Sequence, residues 1–226
     1  MNYFTHGVRF VDRPYFLVGT ALPDWLSAID RPVRLRSRTV APFADGSLNP
    51  ASELAAGILQ HLSDDAWFHL TPAFFEVTGE LTRMFRGVLG NDDDHRPALL
   101  GHIVMEMLLD GVLIAREPAL LDAYYAAFAL VDPQFVEQTV NRMASCPTSR
   151  LALSFPGFRQ ERFLADYHDP PRMLMRLNQI MRRVKLGPLP PEVETVLRPA
   201  WTIVEARAAE LLPGDANHPA PRRNSD

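Results

Sequence analysis

The sequence predicts an all-α protein: one multi-helix bundle over residues 1–213 with a metal site between core helices, and a disordered tail over 214–226. Three observations predict it. Apolar residues recur with helical period almost throughout the chain beyond Ser52, and no alternating strand pattern interrupts them. Most of the 20 prolines fall between those periodic stretches, where they punctuate helices rather than break them. Two of the periodic stretches carry metal-ligand residue types at four-residue spacing, on faces whose flanking residues are apolar.

Taken in order, residues 1–30 begin with an aromatic-rich segment broken at Pro14. A short helix should follow it and lead to a turn at Pro23. His6 and Asp24 are the ligand candidates in this segment, although an Asp beside a Pro is ordinarily a turn or capping residue. Residues 31–50 read as a loop that carries Arg31, Arg34, Arg36 and Arg38. Such a run forms either a solvated face or, through Arg34, Arg36 and Arg38, planar forks for a substrate phosphate. Helices are then expected over 52–69, with Ser52 as N-cap, and over 72–89, 96–115, 117–130, 133–145, 159–167, 170–185 and 190–212. Breaks are expected at Pro72, Gly90-Asn91, Pro118, Pro133, Pro147, Pro156, Pro170-Pro171 and Gly187-Pro188.

The two ligand ladders organise the chain. In Gly57 to His69, His61, Asp65 and His69 recur every four residues, and in Gly101 to Asp110, His102, Glu106 and Asp110 do the same. A four-residue step drifts only about 40° around a helix, so each trio projects from one side. Ile58, Leu62, Trp67 and Phe68 flank the first ladder and Ile103, Val104, Met107, Leu108 and Leu109 the second, which implies substantial burial. Imidazole and carboxylate groups in such surroundings are costly unless they are paired or bind a metal. A hydrogen-bonded core network is the alternative to a metal site.

Composition excludes several classes. A net charge of −4 gives no reason to expect nucleic acid or an anionic membrane as partner. Cys146 stands alone, so neither a disulfide framework nor a thiolate metal site is expected, and a small buried residue is the plain reading of it. No apolar run reaches the roughly 18 uninterrupted residues of a membrane span, and His6, Arg9, Asp12 and Arg13 interrupt any signal-peptide core. A cytoplasmic location is the resulting expectation. His95, His168 and His218 read as surface, helix-end and tail residues.

The order Met1-Asn2-Tyr3-x-x-His6, Gly19-x-x-x-x-Asp24 and Gly57-Ile58-x-x-His61-x-x-x-Asp65 resembles the bacterial acyl carrier protein phosphodiesterase family. That resemblance implies an HD-type, all-helical metal-dependent phosphohydrolase, with an acyl carrier protein as partner. The order Leu22-Pro23-Asp24, Gly57-x-x-x-His61-x-x-x-Asp65-x-x-x-His69 and His102-x-x-x-Glu106 is similar to that of zinc-dependent phospholipase C enzymes, which implies a phospholipid substrate. The ligands carried over are His6, Asp24, His61, Asp65, His69, His102 and Glu106. Residues 25–60 hold no His where that second family places a further ligand, so one or two ions are expected.

The residues lead to similar chemistry. Nitrogen and oxygen ligands without thiolate suit zinc, manganese or iron, and magnesium if carboxylates dominate. A pair of such ions can activate water for attack on a phosphoester, so no side-chain nucleophile is needed. Asp65, between His61 and His69, is the candidate bridge, while Asp64 and Asp110 are spare carboxylates for a general base or for orienting a ligand. The reading is therefore a metal-dependent phosphodiesterase or phosphatase. A non-catalytic helical binding protein with a structural metal site or buried polar network is the alternative.

Overall fold

The structure is a computed structural model that describes residues 1–90 and 95–213, so the tail expected over 214–226 lies outside the described residues. All regular elements among the described residues are helical. α1 (Tyr3–Gly7) passes through a 3-10 turn into α2 (Pro14–Ile29). One helical turn, α3 (Ser37–Val40), precedes α4 (Pro50–Phe68). α5 (Pro72–Leu89), α6 (Pro97–Arg116), α7 (Pro118–Ala129) and α8 (Pro133–Met143) follow, then α9 (Leu151–Glu161), α10 (Pro170–Arg183) and α11 (Glu194–Leu211).

Two packed pairs, α2 on α4 and α5 on α6, form the frame, and α11 closes over α5 and α6. The short α1 is inserted between the pairs and touches α2, α4, α6 and α7. Its Phe4 is fully buried and packs on Tyr124 of α7, ring centroids 5.6 Å apart. The site sits where α1 meets α4 and α6.

Close backbone approach makes these pairs possible. A Cβ on Gly19 would lie 2.3 Å from the Leu54 carbonyl oxygen, and one on Gly57 would lie 2.0 Å from that of Phe16. No side chain fits there, so α2 and α4 touch backbone to backbone. In the second pair, a Cβ on Gly101 would meet Thr82 Oγ1 at 2.5 Å. Both ladders thus begin at the glycine where their helix presses on its neighbour.

Several local expectations are corrected. α4 begins at Pro50 rather than at 52, because Asn49 and not Ser52 caps it, accepting from the Ala51 and Ser52 amides. α2 runs straight through Pro23 with no turn there. An internal proline costs about 3 kcal/mol. Burial of Leu22 just before it and of Trp25 and Leu26 beyond it, at roughly 1.5–3 kcal/mol for each such side chain, outweighs that cost. Pro156 likewise lies inside α9 and not at a break, with Phe155 and Phe158 buried beside it. The helix expected over 159–167 is in fact the end of α9 followed by a 3-10 segment, Phe163–His168. The expected loop over 31–50 contains α3 and a 3-10 turn, because Val33, Leu35 and Val40 are anchored in the core. Among the described residues α6 alone is long and apolar enough to cross a bilayer by length and composition, a test that the buried core helix of a bundle also passes. Within the bundle its apolar residues Leu100, Val104, Met105 and Leu109 are fully buried.

Candidate metal centre

The ladders do not act as two separate trios. The ligand atoms regroup across helices into two sets, His6–His61–Asp65 and His69–His102–Glu106, within each of which one atom per residue lies within 4.8 Å of the others. Each set mixes two imidazoles with one carboxylate, and each draws on residues distant in sequence.

In the first set, the crossing of α2 over α4 brings the Thr20 carbonyl to 2.8 Å from His61 Nδ1. That nitrogen donates to it, while Nε2 on the other side of the ring faces Asp65 Oδ2 at 3.4 Å. The His6 ring stacks on His61 with centroids 3.9 Å apart. His6 Nδ1 faces Asp64 at 3.3 Å and Nε2 faces Asp65 at 3.3 Å and the Met1 carbonyl at 3.2 Å. Burial lowers the pKa of His6, but its hydrogen bonds to Asp64 and Asp65 outweigh burial and raise it to about 9. Burial likewise pushes Asp65 up, and the bonds from His6 and His61 more than reverse this, holding it well below the usual carboxylate range.

In the second set, His69 Nε2 and His102 Nε2 both approach Glu106 Oε1, each at 3.0 Å. The pKa of Glu106 is lowered, because the His102 and His69 bonds overcome the penalty of its burial. His69 is the C-cap of α4 and so turns away from its own ladder toward α6. Asp65 therefore does not join His61 to His69 as the ladder suggested. The sets are linked instead by the Met1 ammonium, 3.1 Å from Asp65 Oδ1 and 2.9 Å from Glu106 Oε1. The two carboxylates thus flank one small cation.

Asp24 stands beside the first set, its Oδ1 4.0 Å from His61 Nε2, with its side chain 35% exposed. Burial raises its pKa even though His61 and His6 oppose that. Asp64 and Asp110 support the site without facing its centre. Asp64 accepts from Gln60 at 2.8 Å and orients His6. Asp110 is fully buried and accepts from the Phe4 amide at 2.9 Å, the Thr5 amide at 2.8 Å and the Thr5 hydroxyl at 2.6 Å. It pins α1 to α6. Asp64 thus holds the His6 ring and Asp110 holds the backbone of α1, and both do so from behind the centre.

A cavity of about 610 Å³ opens beside the centre, bordered by Asp24 and Glu106. Its walls include Trp25, Phe158, Phe163 and Ile180. Of the early arginine run, Arg31 borders it. Arg34, Arg36 and Arg38 do not, contrary to the phosphate-fork reading: Arg34 is turned back on the Val33 carbonyl, and Arg36 and Arg38 are exposed at α3. Residues that the sequence reading missed are the Met1 backbone groups, Thr5 and Thr20. Backbone donors and acceptors carry no residue signature, so nothing in the sequence marked them. His95 contacts the Pro188 carbonyl and His168 ends the 3-10 segment, both outside the centre.

The donor chemistry fits divalent ions. Both sets offer imidazole nitrogen and carboxylate oxygen, and three protein ligands per ion leave positions open for water and substrate. In the first set the two imidazoles are buried and Asp65 keeps 31% of its side chain exposed, whereas in the second His69 and His102 keep 35% and 39%, so there the imidazoles are reachable from solvent. Comparison with protein-family profiles, curated proteins and solved structures finds no match.

Proposed function

We propose that this protein is a metal-dependent phosphoester hydrolase, a phosphodiesterase or phosphatase, with one or two divalent ions held by His6, His61 and Asp65 and by His69, His102 and Glu106. One observation carries the reading: two sets of two imidazoles and a carboxylate face each other across a single cationic position beside a cavity. Zinc, manganese or iron suits these donors, and such ions lower the pKa of water and offset phosphoryl charge.

The chain's own residues define the rest. His6 and His61 are oriented from behind by Asp64 and the Thr20 carbonyl, an arrangement that keeps ring nitrogens aimed at the centre. Asp24 is the carboxylate that borders the cavity with a raised pKa, which suits proton exchange with attacking water or with the leaving oxygen. The reading draws on the ligand order of the two families that the sequence resembles in part, the first through His6, Asp24, His61 and Asp65 and the second without the His it places between Asp24 and His61, and an HD-like arrangement of the bundle belongs to the same proposal. Those resemblances divide on substrate, one toward a carrier-protein phosphodiester and the other toward a phospholipid.

The alternative, a non-catalytic helical binding protein with a polar network, draws on a different observation. Each carboxylate of the centre already has imidazole or ammonium partners, so the network closes within the chain. Metal analysis of the purified protein, followed by a phosphoester panel containing both substrate types, separates the two. Bound divalent metal with turnover that chelation abolishes and metal restores is expected; a protein that takes up no metal is a polar network.

A further inference from the structure

Two groups that border the cavity have no use within the chain. The first is the Tyr3 hydroxyl. The half-buried Tyr3 ring packs edge-on against Phe158 and Phe163, with centroids 5.7 and 5.4 Å apart, and its backbone carbonyl accepts from the Tyr124 hydroxyl at 3.2 Å. Its own hydroxyl has no hydrogen-bond partner among the described residues, yet it is open to the cavity rather than sealed in the core. Burial raises the pKa of this hydroxyl, and Asp24 adds to that rise while Arg183 opposes it, so the group stays protonated and able to donate. A donor that packing holds at a cavity wall without an acceptor is placed for one from outside the chain.

The second is the Arg183 guanidinium. Arg176 and Arg183 both border the cavity, two turns apart on one side of α10. Arg176 is consumed by the protein, 2.7 Å from Asp166 and 3.1 Å from Glu161. Arg183 is exposed and makes no ion pair or hydrogen bond among the described residues. Its charge is nevertheless felt at the Tyr3 hydroxyl, as is that of Asp24, whose Oδ1 lies 4.0 Å from His61 Nε2. Tyr3 is also only two residues from the Met1 ammonium that joins Asp65 to Glu106. A neutral donor and an uncompensated cation thus border the same cavity as Asp24 and Glu106, and both Asp24 and Arg183 are within electrostatic reach of that donor.

We infer that the Tyr3 hydroxyl and the Arg183 guanidinium bind the phosphoryl oxygens of the substrate, as a donor pair that the chain itself supplies next to the ions. This deepens the phosphohydrolase reading and rests on it for the identity of the anion. Asp24 and Glu106 repel an incoming phosphoryl group, and the Arg183 charge offsets that repulsion. The guanidinium fork matches two phosphoryl oxygens in one plane, and the hydroxyl adds a single directed donor.

The test is calorimetric titration of inorganic phosphate into the full chain supplemented with manganese, for wild type, Tyr3→Phe, Arg183→Gln and the double variant, with bound metal measured in each. Each single substitution should weaken phosphate binding roughly tenfold, the scale of one hydrogen bond to a charged group. The two losses should couple in the double variant, because both donors hold one anion. Arg183→Lys, which keeps the charge but not the fork, should recover part of the loss. Bound metal and the urea midpoint should match wild type, since Phe keeps the ring packing and Arg183 lies on the surface. No phosphate binding by the manganese-supplemented wild type, unchanged affinity in either single variant, losses that simply add, or losses that only follow lost metal would each overturn the pair. Turnover of p-nitrophenyl phosphate and bis(p-nitrophenyl) phosphate in the same samples keeps the two readings apart. Coupled losses of phosphate affinity in a protein that turns over neither ester support the pair and sink the hydrolase. Metal-dependent turnover with a phosphate affinity that the substitutions leave unmoved does the reverse.

Discussion

Asp64 and Asp65 are adjacent in sequence, yet they do different work because a helix sends neighbours about 100° apart. Asp65 faces the centre and touches His6, His61 and the Met1 ammonium, while Asp64 lies behind His6. Asp65→Asn should therefore abolish high-affinity metal binding and metal-dependent turnover, whereas Asp64→Asn should weaken metal affinity by roughly 10- to 100-fold and leave a measurable rate at saturating metal. Metal titration and phosphate release on both variants check this, and equal losses would count against the distinction. Asp110 belongs to the fold instead. Asp110→Asn replaces one acceptor oxygen with a donor, which then opposes either the Phe4 amide or the Thr5 amide and hydroxyl, so it should lower stability by about 1–3 kcal/mol in urea unfolding. An Asp110→Asn protein as stable as wild type would show that α1 is held by packing alone.

At the scale of elements, the glycine contact between α2 and α4 sets the geometry of the first ligand set, because it brings Thr20 onto His61. Gly57→Ala would drive a methyl group to 2.0 Å from the Phe16 carbonyl. It should therefore cost at least about 1–3 kcal/mol as the helices are forced apart. Metal affinity should fall with it, since the Thr20 to His61 bond lengthens. Gly79→Ala is the matched control: this exposed position in α5 has nothing within 4 Å of an added Cβ, and the change should stabilise the protein by roughly 0.5–1 kcal/mol through helix propensity. Thermal melts of the two variants test the pair. A stable Gly57→Ala protein would mean that the crossing tolerates more separation than this packing allows.

For the whole molecule, the centre ties the N-terminal segment to the α2–α4 and α5–α6 pairs, so its charge state feeds into global stability. In metal-free protein, Asp65 and Glu106 have pKa values below those of unfolded carboxylates. Their contribution is present above about pH 4 and is lost as pH falls further. His6 is raised to about 9, so its contribution is complete below about pH 6.5 and is lost as pH rises through 9. Asp110, raised to about 6 by burial, works the other way and costs stability as pH rises from about 4 to 6, so the urea midpoint in chelator should be highest near pH 4 to 5 and fall steeply below that and again above about pH 6.5. His6→Gln should shrink the alkaline decline and leave the part that comes from the Met1 ammonium, whose pKa the Glu106 and Asp65 carboxylates raise; an undiminished decline would place its source outside His6. Divalent metal should raise the melting temperature, because it would bind only the folded arrangement of six side chains from three separate stretches of chain.

Helical class, the approximate extents of α5 to α8 and the residue types of the centre were legible in the sequence alone. Each depends on spacing within one stretch: apolar period, proline at a helix start, and imidazole or carboxylate every fourth residue. Tertiary structure decided how those side chains combine. A four-residue ladder says which face of a helix a ligand occupies but not which ligand of another helix it meets. Thus His69, in register with Asp65, turned to Glu106, while His6, whose partners lay out of sight of local spacing, joined His61. Packing also overrode local chemistry at Pro23 and Pro156, where burial of the flanking aromatic and aliphatic side chains exceeds the cost of a lost helical hydrogen bond. The Thr20 carbonyl, the Met1 ammonium and the α1 amides pinned by Asp110 have no sequence signature, because every residue carries the same backbone groups and only the fold determines which of them face a side chain.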